Sequence, residues 1–410
     1  MDYVENLLEG RLAALSPADR GLCQELVYGV VRWERTLDWL IALRTEGRTQ
    51  KATLQILLRL GLYQMFWLDR VPDHAAVNET VALARELGCG AQSGFVNALL
   101  RGYARERDAT RKRLEELKKS EPALGCSHPD WLCERWQKRW GADGLRRLLD
   151  WNNTPPKTYA RLNTLKADAG RLVEQWRQEG VEYDFFSRDW LPENFVFELK
   201  SHPPLTGLPS FQKGLFYVQD PGTLLAVRVL DPRPGDSVLD LCAAPGGKTT
   251  YVGQLMENRG RLVAEDLNGP RLHLVRENCD RLGVTMVEAR CRSGIAVPEL
   301  TAQVDRVLLD APCSNTGVMR RRLDLRWRIR PEEIDRLRAT QMELLEDAAV
   351  QTKPGGVLVY STCSLEPEEN GGIVKDFLAA HAEFKLEQER ELLPWIDGVD
   401  GAYVARLARG

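Results

Sequence analysis

Two cysteines in this sequence follow apolar segments that have the character of β-strands. Cys313 lies in the motif Asp-Ala-Pro-Cys-Ser at residues 310–314, and Cys363 lies in Ser-Thr-Cys-Ser at residues 361–364. The thiolate is the nucleophilic form of cysteine, so a thiol held at the end of a strand can bond covalently to a substrate. The two motifs together predict covalent catalysis.

A third motif lies upstream and predicts a cofactor site. Residues 240–249 read Asp-Leu-Cys-Ala-Ala-Pro-Gly-Gly-Lys-Thr, after an apolar strand and before a helix. Gly246 and Gly247 leave room for a ligand to approach the backbone closely. Asp266 ends the next predicted strand, where a carboxylate can accept hydrogen bonds from the hydroxyl groups of a ribose.

This loop could bind a nucleotide phosphate, form a tight turn without a ligand, or bind S-adenosylmethionine. The dinucleotide motif Gly-x-Gly-x-x-Gly is absent, and a phosphate-binding P-loop would need a glycine where Leu241 or Cys242 stands. A tight turn without any ligand also explains the two glycines. The cysteine motifs further along the chain favour the third interpretation, a site for S-adenosylmethionine.

Methylation at carbon 5 of a pyrimidine is the chemistry that would use all three motifs. Carbon 5 of cytosine is a poor nucleophile until a thiolate adds to carbon 6. The reaction also needs an acidic group near the ring nitrogen N3 and an acceptor for the carbon 5 proton. Asp310, Cys313 and Cys363 can supply these roles from neighbouring strand ends.

The C-terminal part of the sequence alternates strands with helices, which predicts a parallel sheet with helices on both faces. The predicted elements, strand and helix in chain order, include 237–241, 247–256, 261–264, 270–282, 285–288, 304–309, 331–352 and 356–360. Ligands of such sheets bind beyond the carboxyl ends of the strands. We therefore expect the loop and both cysteines at that edge.

Two further regions precede this α/β domain, which we place at 211–410. Residues 1–120 carry apolar residues at helical spacing and predict an all-helical domain. Residues 121–210 combine strand-like alternation at 158–163 and 195–199 with a helical pattern at 167–180. They predict a small α+β subdomain, so the chain is expected to be multidomain.

Composition limits the classes of function. The chain has 410 residues and a net charge of −3, so nucleic-acid binding would depend on local basic patches. The first residues lack the order of a signal peptide, and the longest apolar stretch, 54–68, is too short and too polar to cross a membrane. Nine cysteines without a Cys-x-x-Cys pair predict no metal site. We expect a cytoplasmic monomer.

One basic patch follows the Cys313 motif directly. Its side chains suit phosphate contact and stacking on bases, and we predict RNA binding by Arg320, Arg321, Arg322, Arg326, Trp327 and Arg328. An ordinary solvated run of charge is the alternative. A second group of tryptophans and basic residues at 131–140 is better explained by packing within a helix.

The motifs quoted above resemble those of the RNA cytosine-C5 methyltransferases, in particular the bacterial small-subunit rRNA enzymes of the RsmB/Sun type. Residues 19–39 are similar to the NusB-like helical N-domain of this family, and Tyr-Ala-Arg-Leu-Asn at 159–163 resembles its small RNA-facing subdomain. The resemblance implies a Rossmann-like, S-adenosylmethionine-dependent methyltransferase domain at the C-terminus. RNA is the expected partner, because DNA cytosine methyltransferases use the Pro-Cys cysteine alone and this chain has both motifs. The resemblance to the RsmB/Sun type implies small-subunit rRNA in particular.

The resemblance also implies roles for individual residues. Cys363 would be the nucleophile, Cys313 would assist proton removal or product release, and Asp310 would support the ring at N3. The cofactor would be held by Cys242, Ala243, Ala244, Pro245, Gly246, Gly247, Lys248, Asp266 and Asp310. The family carries an Asp after the strand at 286–288, whereas residues 289–294 here read Ala-Arg-Cys-Arg-Ser-Gly. A tRNA cytosine-C5 methyltransferase and a non-catalytic, NusB-like RNA-binding or antitermination protein are the alternatives.

Overall fold

The structure, a computed structural model, describes residues 4–9, 11–12, 15–292 and 304–410. The chain divides into two compact units. The helical unit comprises Met1–Pro155 and Met319–Arg328, and the sheet unit comprises Pro156–Val318 and Ile329–Gly410. No helix within these described ranges is long and apolar enough to cross a membrane.

Within the described residues, the N-terminal segment of the helical unit contains nine α-helices. They are α1 (Val4–Glu9), α2 (Pro17–Arg32), α3 (Glu34–Thr45), α4 (Ala52–Trp67), α5 (Asp73–Glu86), α6 (Ser93–Arg105), α7 (Arg107–Ser120), α8 (Pro122–Gly125) and α9 (Asp130–Asn153). Ser16 caps α2 by accepting a hydrogen bond from the backbone N of Asp19 at 3.2 Å. The helical spacing in α4 is confirmed, since Leu54, Leu57, Leu58 and Leu62 are all buried.

Helix α9 consists of two helical stretches that meet at Gly141. This glycine has φ 70° and ψ −179°, a left-handed conformation that glycine adopts without steric strain. Trp136 and Leu148 are buried, which agrees with the packing role expected for the tryptophans of this region.

The sheet unit begins with a small antiparallel sheet in the order β2-β3-β1-β4. Its elements are β1 (Thr158–Leu162), α10 (Ala169–Glu179), β2 (Glu182–Phe186), β3 (Val196–Ser201), α11 (Pro209–Gln212) and β4 (Phe216–Val218). Trp176 of α10 is fully buried against Phe197 and Phe216, with ring centroids 5.1 and 5.2 Å away. These aromatic contacts join the helix to one face of the small sheet.

A seven-stranded sheet forms the rest of the sheet unit, in the order β10-β11-β9-β8-β5-β6-β7. The strands are β5 (Ser237–Leu241), β6 (Arg261–Asp266), β7 (Val287–Cys291), β8 (Val304–Asp310), β9 (Thr352–Thr362), β10 (Phe384–Leu392) and β11 (Ala402–Arg409). The remaining helices are α12 (Leu224–Leu230), α13 (Gly247–Leu255), α14 (Gly269–Leu282), α15 (Leu325–Arg328), α16 (Pro331–Gln351), α17 (Gly371–Ala380) and α18 (Pro394–Asp397), of which α15 belongs to the helical unit.

Strand direction in this sheet determines where a ligand can bind. Strands β5 to β9 pair in parallel, whereas β11 pairs antiparallel with β9 and with β10. The chain runs from β5 to β6 and β7 on one side and continues with β8 and β9 on the other. Strand order therefore reverses at β5, and in open α/β sheets the crevice at such a reversal is the ligand site.

Candidate active site

The two cysteine loops meet because β8 and β9 are neighbours in register. Asp310 is the register partner of Ser361, and the backbone N of Ala311 donates to the carbonyl of Ser361 at 2.9 Å. Both chains then leave the sheet at the same edge. The Sγ atoms of Cys313 and Cys363 consequently lie 3.3 Å apart, within hydrogen-bond distance for sulfur.

Asn315 contacts the Cys363 thiol and was not singled out for any role by the sequence. Its φ of 59° is left-handed, a conformation that Asn tolerates better than most residues. The side-chain Nδ2 donates to the carbonyl of Cys313 at 2.7 Å, and Oδ1 accepts from Cys363 Sγ at 3.0 Å. One amide thus joins the two cysteine loops at the level of the thiols.

The Cys313 thiol is buried and stays protonated at neutral pH. Its hydrogen bond to Cys363 raises the pKa of Cys313 well above the ordinary value for cysteine, and burial adds to the effect. A protonated thiol is a weak nucleophile. This environment therefore disfavours Cys313 as the attacking group.

Asp310 makes contacts on both sides of its carboxylate. Oδ1 accepts from the Ser361 hydroxyl at 2.9 Å, and Oδ2 accepts from Lys248 Nζ at 2.5 Å. Burial alone would lower the pKa of Lys248, but the Asp310 carboxylate reverses this and raises it. The cofactor loop thus delivers a protonated amine to the end of β8.

The cofactor loop lines a cavity of about 180 Å³ at the reversal point of the sheet. The lining residues are Tyr217, Val218, Gln219, Thr223, Asp240, Cys242, Ala243, Ala244, Pro245, Gly247, Lys248 and Asp310. Burial raises the pKa of Cys242 to about 12, so its thiol is not a candidate nucleophile. The structure therefore brings most of the predicted cofactor residues to one cavity, together with Asp310.

Gly247 is required by the close approach of neighbouring side chains. A Cβ at this position would lie 3.1 Å from the Tyr217 ring and 3.2 Å from Gln219 Nε2. Both neighbours line the cavity. Any larger residue at 247 would push these groups into the space that the glycine keeps open.

Asp240 leaves one buried oxygen without a partner beside this cavity. Its Oδ2 accepts from Thr249 Oγ1 at 2.6 Å, whereas Oδ1 has no hydrogen-bond partner within the part of the chain that the structure describes. Burial raises the pKa of Asp240 to about 7. A buried, unsatisfied carboxylate oxygen is unfavourable, and a ligand with a donor group would relieve this.

Both carboxylate oxygens of Asp266 accept hydrogen bonds from backbone N–H groups. Its Oδ2 accepts from the backbone N of Ala244 at 3.0 Å, and Oδ1 accepts from the backbone N of Asn268 at 2.8 Å. Each carboxylate oxygen can accept a further bond. A contact with a ribose therefore stays a prediction for this residue.

Arg161 supports the cofactor loop from the small sheet, a role that was not predicted. Its side chain is 1% exposed and donates to Gln219 Oε1 at 2.7 Å, to the Gly247 carbonyl at 2.8 Å and to Thr250 Oγ1 at 3.1 Å. Burial lowers the pKa of Arg161 to about 10. The guanidinium group remains charged at neutral pH and connects β1 to the start of α13.

Comparison with known proteins matches this architecture along the whole chain. Three family models match: the NusB family at residues 1–105, an RsmF/B-like ferredoxin-like domain at 128–193 and the 16S rRNA methyltransferase RsmB/F family at 227–408. The ribosomal RNA small subunit methyltransferase B of Erwinia tasmaniensis is 34% identical over 99% of this chain and 94% of its own. The chain belongs to the RsmB/F family of 16S rRNA methyltransferases.

Solved structures agree with this membership. A methyltransferase homolog protein from Pyrococcus horikoshii is 32% identical, has a TM-score of 0.62 and covers 70% of this chain and 97% of its own. NSun6 from the same organism, crystallised with SFG, is 25% identical, has a TM-score of 0.61 and covers 68% and 98%. The predicted fold class, with its NusB-like, α+β and Rossmann-like parts, is confirmed.

The position of Arg326 contradicts the RNA contact expected of this residue. Arg326 is fully buried within the helical unit, where it donates to the carbonyls of Arg32, Ser127 and Asn152 and to Asn153 Oδ1 at 3.0–3.2 Å. Burial lowers the pKa of Arg326 to about 9. Its Nη1 and Nη2 atoms are therefore engaged inside the protein, whereas Nε has no hydrogen-bond partner among the described residues.

Arg320 and Trp327 are also engaged within the helical unit. Arg320 is 1% exposed, with its guanidinium carbon 3.9 Å from the centre of the Trp151 ring. Trp327 Nε1 donates to the carbonyl of Val31 at 2.8 Å. Burial thus contradicts an RNA contact for Arg320, whereas the roles expected of Arg321, Arg322 and Arg328, which are half-buried, stay predictions.

The position of the missing aspartate is only partly described. Arg292 is buried, with its Nη1 2.7 Å from Asp347 Oδ2 and its Nε 3.6 Å from Glu265 Oε2. Ser293 and Gly294, which complete the 289–294 segment, lie outside the described residues. The described part of this segment therefore places a paired arginine, and not a carboxylate, next to the end of β7.

Proposed function

We propose that this protein methylates carbon 5 of a cytosine in 16S rRNA, using S-adenosylmethionine and a covalent bond between Cys363 and carbon 6 of the base. The observation that carries the proposal is the pair of thiols 3.3 Å apart beyond the carboxyl ends of the neighbouring strands β8 and β9. Asp310 lies in the same crevice with its proton-bearing partner Lys248. Neither a binding module nor an enzyme without covalent chemistry needs this combination.

The first step assigned to these residues is addition. The Cys363 thiol loses its proton to solvent and its sulfur forms a bond to carbon 6, so that the electron pair of the carbon 5–carbon 6 double bond becomes available at carbon 5. Charge that reaches N3 is neutralised by a proton from the Lys248–Asp310 pair, in which an ammonium donates to a carboxylate. S-adenosylmethionine, when bound, supplies a methyl group on a positively charged sulfur, which carbon 5 can accept.

The second step is elimination, in which Cys313 has the assisting role. The carbon 5 proton must leave, the double bond re-forms, and the bond from carbon 6 to Cys363 breaks. The largest cause of the raised pKa of Cys313 is its hydrogen bond to Cys363. Cys313 therefore enters this step as a thiol. It can donate its proton to the Cys363 sulfur as the bond to carbon 6 breaks, and its own sulfur takes up the proton from carbon 5, so both cysteines end the step as thiols. The proton on N3 returns to the Lys248–Asp310 pair.

The residues of the cavity suit the cofactor proposed for it. The unpaired Oδ1 of Asp240 can accept a hydrogen bond from an ammonium group, as in the methionine part of the cofactor. Gly247 leaves space for the cofactor to approach the backbone. The Asp266 carboxylate oxygens can each accept a further hydrogen bond from a ribose hydroxyl. SFG, present in the crystal structure of NSun6, is an analogue of S-adenosylmethionine, which supports the same ligand class here.

Bisulfite sequencing of rRNA and tRNA tests the proposal. RNA from cells that lack this protein and from cells complemented with it should differ at a cytosine of 16S rRNA, which resists conversion only when the protein is present. A change confined to tRNA would replace the substrate. No change in either RNA, with the protein expressed and folded, would exclude cytosine-C5 methylation.

A further inference from the structure

Glu369 connects the two loops that carry the cysteines. Its side chain is fully buried. One carboxylate oxygen accepts from the backbone N of Ser314 at 2.8 Å and from Gln341 Nε2 at 2.9 Å. The other accepts from the hydroxyls of Ser314 and Ser364. Since Ser314 follows Cys313 and Ser364 follows Cys363, one carboxylate holds the residues next to both thiols.

The neighbouring residues anchor this carboxylate to the sheet. The backbone carbonyl of Glu369 accepts from the Tyr360 hydroxyl at 2.7 Å. Asn370 accepts from Thr362 Oγ1 at 2.6 Å and donates to the carbonyl of Ser364 at 2.9 Å. The bonds from Tyr360 and Thr362 therefore fix the Glu369 segment to β9 independently of the cysteine loops.

Burial makes this carboxylate dependent on its donors. All four donated hydrogen bonds come from uncharged groups, and burial of a carboxylate is strongly unfavourable unless it is hydrogen-bonded. Burial raises the pKa of Glu369, and the bonds from Ser314 and Ser364 act against this. Movement of either cysteine loop would remove donors, so the carboxylate favours the arrangement in which both loops are docked.

We propose that Glu369 is a positioning residue that sets the separation of the Cys313 and Cys363 thiols. Its hydrogen bonds go to Ser314, Ser364 and Gln341, and it positions the sulfurs through the two serines. Its charge also contributes to the raised pKa of Cys313. The catalytic consequence rests on the function proposed above. The geometric consequence, two thiols held within reach of each other, does not.

Oxidative cross-linking measures the geometry without reference to methylation. Diamide, an azo oxidant, takes up the two hydrogens lost when two thiols become a disulfide and is itself reduced to the hydrazine. The wild-type protein is expected to form the Cys313–Cys363 disulfide rapidly, as measured by mass spectrometry of peptides. Glu369→Met keeps an unbranched side chain but removes the acceptor, and should slow this disulfide about tenfold or more.

Two variants serve as controls for this measurement. Glu332→Met makes the same substitution at an exposed position near the start of α16 and should leave the cross-linking rate unchanged. Glu369→Gln retains one acceptor oxygen and should give an intermediate rate. If Glu369→Met does not fold, the single variants Ser314→Ala and Ser364→Ala each remove one donor, and both should slow the disulfide.

Methylation kinetics then test the catalytic consequence. Glu369→Met should lower kcat by about tenfold or more, with Glu369→Gln partly restoring it and the KM for S-adenosylmethionine within about twofold of wild type. Wild-type rates of cross-linking in folded Glu369→Met, or in both serine variants, would overturn the proposal. A wild-type protein that cross-links as described but methylates no cytosine would instead reject the proposed function and leave the positioning role in place.

Discussion

Asp310 and Ser361 are register partners at the ends of β8 and β9, and the Ser361 hydroxyl donates to the Asp310 carboxylate at 2.9 Å. This pairing sets the starting point of both cysteine loops. Because the strands are parallel, Cys313 and Cys363 emerge at the same edge, three and two residues further on. Asn315 then connects the loops above the sheet through Cys363 Sγ and the carbonyl of Cys313.

Replacement of Cys363 by alanine should abolish methylation. The substitution removes the only group assigned to attack carbon 6, whereas the cavity residues contributed by the cofactor loop are unaffected. We expect methyl transfer to fall by at least about a thousandfold, with binding of S-adenosylhomocysteine by calorimetry unchanged within about twofold. Cys23→Ala, which changes a half-buried thiol in α2 of the helical unit, is the control and should retain activity. Methylation by Cys363→Ala at the wild-type rate would reject the assignment of the nucleophile.

Replacement of Cys313 by alanine should trap the covalent intermediate. Addition by Cys363 can proceed, but the assisted elimination is lost, so a protein–RNA adduct should accumulate and migrate slowly on denaturing gels. The double variant Cys313→Ala, Cys363→Ala should form no adduct, because it lacks the attacking sulfur. A Cys313→Ala protein that turns over normally without any adduct would show that elimination proceeds without this residue.

The parallel strands and the meeting of the cysteine motifs were predictable because local patterns define them. Ser237–Leu241 and Val304–Asp310 are apolar runs followed by polar motifs, which indicate buried parallel strands with functional ends. Strands β10 and β11 were not predicted. Residues 384–392 of β10 are mostly charged, with only Phe384 and Leu392 buried, and a strand of this kind lacks the apolar run that identifies a buried one.

The contacts of buried charged residues could not be predicted from the sequence. Arg326 lies in a run of arginines that looks like a solvated or RNA-binding surface. Its partners are mostly backbone carbonyls at 32, 127 and 152, which no side-chain pattern identifies. Glu369 is a similar case, since its partners Ser314 and Gln341 are far away in sequence and come together only through the fold.

Asp240 should make cofactor affinity depend on pH. Its folded-state pKa of about 7 lies above the usual range for aspartate, so the carboxyl is mostly protonated at pH 6 and mostly ionised at pH 8. The ionised form attracts an ammonium group, and affinity for S-adenosylhomocysteine should therefore rise about tenfold between these pH values.

Calorimetric titration with the isosteric variant Asp240→Asn provides the control, because titration of the ligand itself is common to both proteins. The additional rise seen in wild type should be absent from Asp240→Asn. The raised pKa also has a consequence for stability: the protonated carboxyl is tolerated in the core, so stability should fall as pH rises from about 4 through about 7, and less so in Asp240→Asn. Identical pH profiles for the two proteins would contradict this role.

Arg326 should contribute to stability and not to the electrostatic part of RNA binding. Arg326→Met removes four hydrogen bonds and leaves buried carbonyl oxygens unsatisfied, so we expect the free energy of unfolding to fall by about 3 kcal/mol in urea titrations followed by circular dichroism. Arg105→Met, at an exposed position in α6, should change it by less than about 0.5 kcal/mol. Below the unfolding range, the dependence of RNA affinity on salt should be the same for Arg326→Met and wild type, whereas a lost phosphate contact would reduce its slope by about one.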